Sequence, residues 1–130
     1  MKSNTENELS RGRIVKLFTD LGPYFRRLKS TESYYFFDCL EICIDHEEDP
    51  GQREFLGWWL VVRNNGDNCS YERFNGRYNL AGDWVTEHIS EQDLQQLDNS
   101  FGLFIERLET LIEVKMQQQL SASEVVCSEV

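Results

Sequence analysis

A chain of 130 residues, 40% hydrophobic and 28% charged, is long enough for one domain with a real core and too short for two of ordinary size. That composition excludes a disordered chain, and no apolar run approaches the roughly 20 residues a membrane span requires. A net charge of −10 argues against a protein that grips DNA by itself, because phosphate binding is driven by Lys and Arg displacing counterions. The charge is also uneven, with seven Lys or Arg against three acids in residues 1–30 and an acidic body beyond. A protein partner is the expectation.

In chain order, the polar start MKSNTENELS lacks the apolar stretch of a secretory signal, which predicts a cytoplasmic protein. Ser10 caps a predicted helix whose apolar positions Ile14, Leu17, Phe18 and Leu21 follow one helical stripe, and Gly22 and Pro23 stop it. From Tyr34 to Ile44 the period changes to two. Tyr34, Phe36, Leu40, Ile42 and Ile44 share one face with Asp38 among them, and Tyr35, Phe37, Cys39, Glu41, Cys43 and Asp45 form a mixed opposite face.

The acidic turn HEEDPGQ leads into REFLGWWLVV, a predicted strand that is apolar on both faces. NNGDN after it is a hairpin signal, and CSYERFNGRY and NLAGDWVTEH predict two further short strands. Ser90 with Asp93 three residues on announces a long helix, whose stripe is Leu94, Leu97, Phe101, Phe104, Leu108 and Leu111. The expected fold is α+β: one domain over residues 1–120, an antiparallel sheet of about four strands with an N-terminal and a long C-terminal helix packed on it. Residues 121–130 have no period and are expected to be a disordered tail.

Helices on one face alone leave Trp58 or Trp59 turned to solvent, which a monomer seldom shows without a purpose. Gly57 between Leu56 and Trp58 suggests a bulge, and a bulge there puts Phe55 and Trp58 on the same side.

Catalytic and metal-binding patterns are sparse. The four cysteines show no CxxC pair, and Cys39 and Cys43, ~13 Å apart along a strand, can neither bridge nor share a metal. They read as free thiols, and no metal or cofactor is expected. His46 and His88 lie in acidic turns, no glycine-rich phosphate loop is present, and GxSxG is absent. An enzyme remains only as an alternative resting on Asp38, and a small interaction module of another kind is a second one. Tyr24, Phe55, Trp58, Trp84 and Arg53 are of the types that dominate binding hot spots, with core packing as the competing role for each aromatic.

LFTDLGPY at 17–24, YFFDCLEIC at 35–43, REFLGWW at 53–59 and AGDW at 81–84, in this order and spacing, resemble the sigma factor-binding Crl family of gammaproteobacteria. The likeness runs from about residue 10 to about residue 115. It implies a transcription activator that binds the stationary-phase sigma factor and promotes its assembly with core RNA polymerase, reaching DNA only through the holoenzyme. It also implies a sigma-binding set at Tyr24, Arg53, Phe55, Trp58, Trp84 and Asp38, with Cys39 in the same strand motif, and a monomer is expected. Arg53 is expected to pair with an acid of the sigma factor. Phe55 and Trp58 are expected at the partner surface, and Trp84 at the end of the sheet, where its truncation should destabilise the domain more than that of Trp58.

Overall fold

The computed structural model describes residues 10–44 and 47–123, so His46, Cys127 and most of the expected tail lie outside the described residues. Helix α1, Arg11–Leu21, begins where the Ser10 hydroxyl accepts the backbone N–H of Arg13, and it buries Ile14 and Phe18. A chain segment from Tyr24 to Arg26 then runs along the edge of the first strand, through Arg26 N–H to Phe36 O (2.8 Å) and Asp38 N–H to Tyr24 O (2.9 Å).

Strands β1 (Tyr34–Cys43), β2 (Phe55–Asn64), β3 (Cys69–Tyr78) and β4 (Trp84–Thr86) form the expected antiparallel meander in that order. Asn64, Asn65 and Gly66 make the β2–β3 turn: Asn65 Oδ1 accepts from Asp67 N and Asn68 N, and Gly66 supplies φ +102°. A second turn precedes β4. There Asn79 Oδ1 accepts from Ala81 N and Asp83 N (3.0 Å each), with Gly82 at φ +83°.

Helix α2, Glu91–Leu111, is capped by Ser90 as its sequence predicts. Its buried stripe of Leu97, Phe101, Phe104 and Leu108 lies on the sheet and continues through a wider π turn, Ile112–Met116. Gln117, at φ 57°, turns the chain back. The next residues make an unexpected fifth strand, β5 (Leu120–Ala122), paired parallel with Cys69–Tyr71 of β3, so the sheet is mixed and residues 121 and 122 belong to the folded domain rather than to a tail. No helix among the described residues is long and apolar enough to cross a membrane.

Both helices pack on one face of the sheet. Its core residues are Tyr35, Phe37 and Cys39 from β1, Trp58, Leu60 and Val62 from β2, and Cys69 from β3, which meet Phe18, Leu97, Phe101, Phe104 and Leu108 of the helices. The β1 residues turned to the helices are therefore those of the face that looked mixed. The face that looked more apolar is left open, and it carries Asp38.

The expected bulge at Gly57 is not where the register slips. Leu40 faces Gly57 and Ile42 faces Leu56, which leaves Glu41 of β1 as the extra residue. From Phe55 to Asn64, β2 pairs with β3 without a slip, so Phe55 and Trp58 project from opposite faces. The bulge on β1 also turns Ile42 toward the helices, together with Cys39. Gly57 serves a different end: a Cβ there would lie 1.9 Å from the Cys39 carbonyl oxygen, so only glycine fits beneath the bulge.

Candidate partner-binding surface

The six residues that the resemblance implies divide between the two faces. On the helix side, Trp58 is fully buried and its indole N–H donates to Ser100 Oγ at 2.8 Å. Its ring packs against Phe101 and Phe104 at 5.2 and 5.5 Å. The expectation of Trp58 at a partner surface is thus overturned, because without a bulge at Gly57 its side chain points into the core. The ranking of the two tryptophans changes with it, since Trp84 is half-exposed. Tyr24 is half-buried over the same cluster, 5.4 Å from the Trp58 ring and 5.2 Å from Phe104. Burial, then the neighbouring Cys39 thiol, raises the Tyr24 hydroxyl above its usual range. The Cys39 thiol is itself pushed up to about 11, first by burial and then by its hydrogen bond to Glu41.

The open face holds the other members. Phe74 and Tyr78 of β3, Trp59 of β2 and Trp84 of β4 form one continuous aromatic ribbon. Successive ring centroids are 5.3 Å apart from Phe74 to Trp59, 4.8 Å from Trp59 to Trp84 and 5.2 Å from Trp84 to Tyr78. All four rings are half-buried, and no described helix covers them. The ribbon exists because Gly57 and Gly76 face each other across β2 and β3 on this side, leaving no side chains under the Trp84 ring. A Cβ on Gly57 would come within 3.0 Å of that ring. Phe55 pairs with Tyr78 at the end of the ribbon and is likewise half-buried.

Asp38 lies between the ribbon and the β1 edge, 3% exposed. Its Oδ2 accepts from the Trp84 indole N–H at 2.9 Å, and its Oδ1 accepts from Arg26 Nε at 2.5 Å. Both oxygens are engaged, which suits a structural acid and not a general base with access to substrate. Cations rim the same edge, with Lys29 over the Phe36 ring at 4.9 Å and Arg63 over Tyr34 at 5.1 Å. Arg53, just before β2, is partly exposed; its Nε donates to the Glu48 carbonyl at 2.6 Å, and it forms no ion pair among the described residues.

Trp59, Phe74 and Tyr78 are the ribbon members that the resemblance did not single out. Period two in REFLGWWLVV gave the signal for Trp59, since it puts that ring opposite to Trp58, but the sequence alone could not say which of the two faced the helices; Phe74 and Tyr78 join it only through the β2–β3 register. No group of three or more His, Cys, Asp or Glu able to hold a metal occurs among the described residues.

Comparison with known proteins agrees with the motifs. The family described as sigma factor-binding transcriptional regulator Crl matches residues 1–130. A sigma factor-binding protein Crl of Vibrio cholerae serotype O1 is 32% identical over 111 residues, 85% of this chain and 86% of that protein. Its counterpart in Photobacterium profundum is 34% identical over 112 residues (86% and 84%), and that of Vibrio vulnificus 29% identical over 122 residues (94% and 95%). On this evidence the chain belongs to the Crl family of sigma factor-binding transcriptional regulators.

Proposed function

We propose that this protein binds the stationary-phase sigma factor and favours its assembly with core RNA polymerase, acting in the cytoplasm as a monomer and without gripping DNA itself. The relatives' names support a sigma factor as the partner. The observation that carries a docking role is the uncovered ribbon of Phe74, Trp59, Trp84 and Tyr78, a set of large rings of the kind that dominate binding hot spots. Trp84 and Phe55 are the proposed apolar anchors, with Arg53 beside the start of β2 as the charged contact. Tyr24 contributes from the β1 edge, and Trp58 supports it from beneath. The acidic body supports a protein that reaches promoters through polymerase, because self-repulsion from DNA is harmless to it.

A pull-down of purified protein against the stationary-phase and housekeeping sigma factors side by side, with a naked-DNA shift assay, tests this reading. Retention of the first factor without a DNA shift is the expected result. A DNA shift with no sigma factor retained overturns it. Arg53 sharpens the same test: a planar guanidinium meets a carboxylate through two parallel bonds, which an ammonium cannot do. Arg53→Lys should therefore weaken binding, and Arg53→Glu should weaken it by ~2–5 kcal/mol if the pair is partly desolvated. Affinities of both variants within about twofold of the wild type would limit Arg53 to a rim position worth about 0–1 kcal/mol.

A further inference from the structure

We infer that Asp38 is a positioning residue: it serves partner binding through the Trp84 indole that its carboxylate holds, without touching the partner. The inference rests on the open face being the docking surface. Among the described residues Asp38 is the one buried charged side chain, and neither oxygen is left to face a partner. Desolvation offsets much of the attraction within a buried ion pair, so such a pair is a weak source of stability. What it can supply is a defined geometry.

That geometry is the orientation of one ring. Strand β4 is held by three residue pairs only, Gly76 with Thr86, Arg77 with Val85 and Tyr78 with Trp84. This backbone pairing leaves the Trp84 side-chain torsions open. From β4 the indole lies across β3 and β2, over Gly57, and reaches β1, where its single polar atom meets Asp38 Oδ2. Trp59 and Tyr78 flank the ring, but stacking alone allows it to slide or turn over. The hydrogen bond selects one orientation, because an indole N–H placed over the glycine floor has no other acceptor on the open face among its described partners.

Arg26 fixes the carboxylate in its turn. Its Nε holds Oδ1, its Nη1 donates to the Pro23 carbonyl at 3.0 Å, and the Asp38 N–H donates to the Tyr24 carbonyl at 2.9 Å. One residue thus couples the segment bearing Tyr24, beside β1, to the ring of Trp84 on β4, at the other end of the four-strand meander.

The test is a double-mutant cycle on Asp38→Ala and Trp84→Phe, read as affinity of the folded protein for purified stationary-phase sigma factor, with thermal melts alongside. The Trp84 indole N–H resonance of the free protein is followed in the Asp38 variants. Each single substitution should weaken binding about tenfold, and the double variant should be no more than about threefold weaker than either. Asp38→Asn, which keeps an acceptor oxygen, should restore affinity to within about threefold of the wild type, and Asp38→Ala should move the indole resonance. If Asp38→Ala does not fold, the cycle with Asp38→Asn decides in its place, read from whether its residual loss persists beside Trp84→Phe. Additive losses would show that Asp38 acts on the partner independently of Trp84 and overturn the inference. So would unchanged affinity with a lowered melting temperature, or an unmoved indole resonance. A wild-type protein that binds neither sigma factor sinks the docking reading together with this inference, whereas wild-type binding with an additive cycle sinks the inference alone.

Discussion

Trp58 and Trp59 are neighbours in sequence and project from opposite faces of the same strand. Trp58 is sealed under α2 with its N–H bonded to Ser100, whereas Trp59 lies half-exposed between Phe74 and Trp84. The helix-covered face uses aromatic rings to fill volume, and the indole N–H of Trp58 is paired inside the core. The open face uses rings to build a surface, and the buried carboxylate of Asp38 orients a ring that stays partly in water. Residue type therefore says little about role in this sheet; the layer above each face decides it.

The sharpest way to break this comparison is to truncate both rings. Trp58→Ala removes a fully buried ring and one of the hydrogen bonds of Ser100, whose hydroxyl still donates to the Leu97 carbonyl, and it should cost ~3–5 kcal/mol of stability in urea denaturation. Trp59→Ala should cost about 1–2 kcal/mol, since it loses stacking and part of a buried area. Equal losses would mean that the open face is as much a core as the covered one.

Gly57 tests the floor between the two faces. A methyl group there meets the Cys39 carbonyl at 1.9 Å, a backbone atom that cannot move without shifting the bulge, so Gly57→Ala should destabilise by about 1–3 kcal/mol. Thermal melts that match the wild type would show that the bulge is free to relax.

The cysteines extend the comparison to reactivity. Burial pushes the thiols of Cys39 and Cys69 up to about 11, so both should resist alkylation of the native protein at pH 8, while half-buried Cys43 reacts sooner. Peptide mapping after brief labelling reads this, and early modification of Cys39 or Cys69 would contradict their burial. The sign of the linkage follows from the same shift. With the folded value raised, the contribution of these thiols to stability is full below the ordinary thiol value near 9 and is lost as pH rises toward about 11.

The smallest effect lies on the solvent side of α2. A Cβ at Gly102 meets nothing within 4 Å, so Gly102→Ala should stabilise the helix by roughly 0.5–1 kcal/mol through backbone entropy alone. A lowered melting point would reveal a contact at that position. Set beside Gly57, it separates a glycine required by packing from one that is merely tolerated.

Much of this architecture is written in local pattern. The Ser10 and Ser90 caps, the stripes of both helices, the Asn-rich hairpin and the order of four strands follow from capping chemistry, periodicity and turn residues, which act over a few positions. The motifs that carry the family likeness were legible in the same way. Period two also divided Trp58 from Trp59, but no local signal says which side of a doubly apolar strand receives the helices. That choice depends on α2, whose Ser100 and Phe101 meet Trp58 from some forty residues further along the chain. β5 escaped notice because three residues of weak pattern become a strand only when the free edge of β3 supplies their hydrogen bonds. The Asp38–Trp84 bond joins residues 46 positions apart, across a floor of two glycines that are unremarkable in sequence. Short-range preferences determined the elements, and only packing between distant segments decided which aromatic rings became core and which became surface.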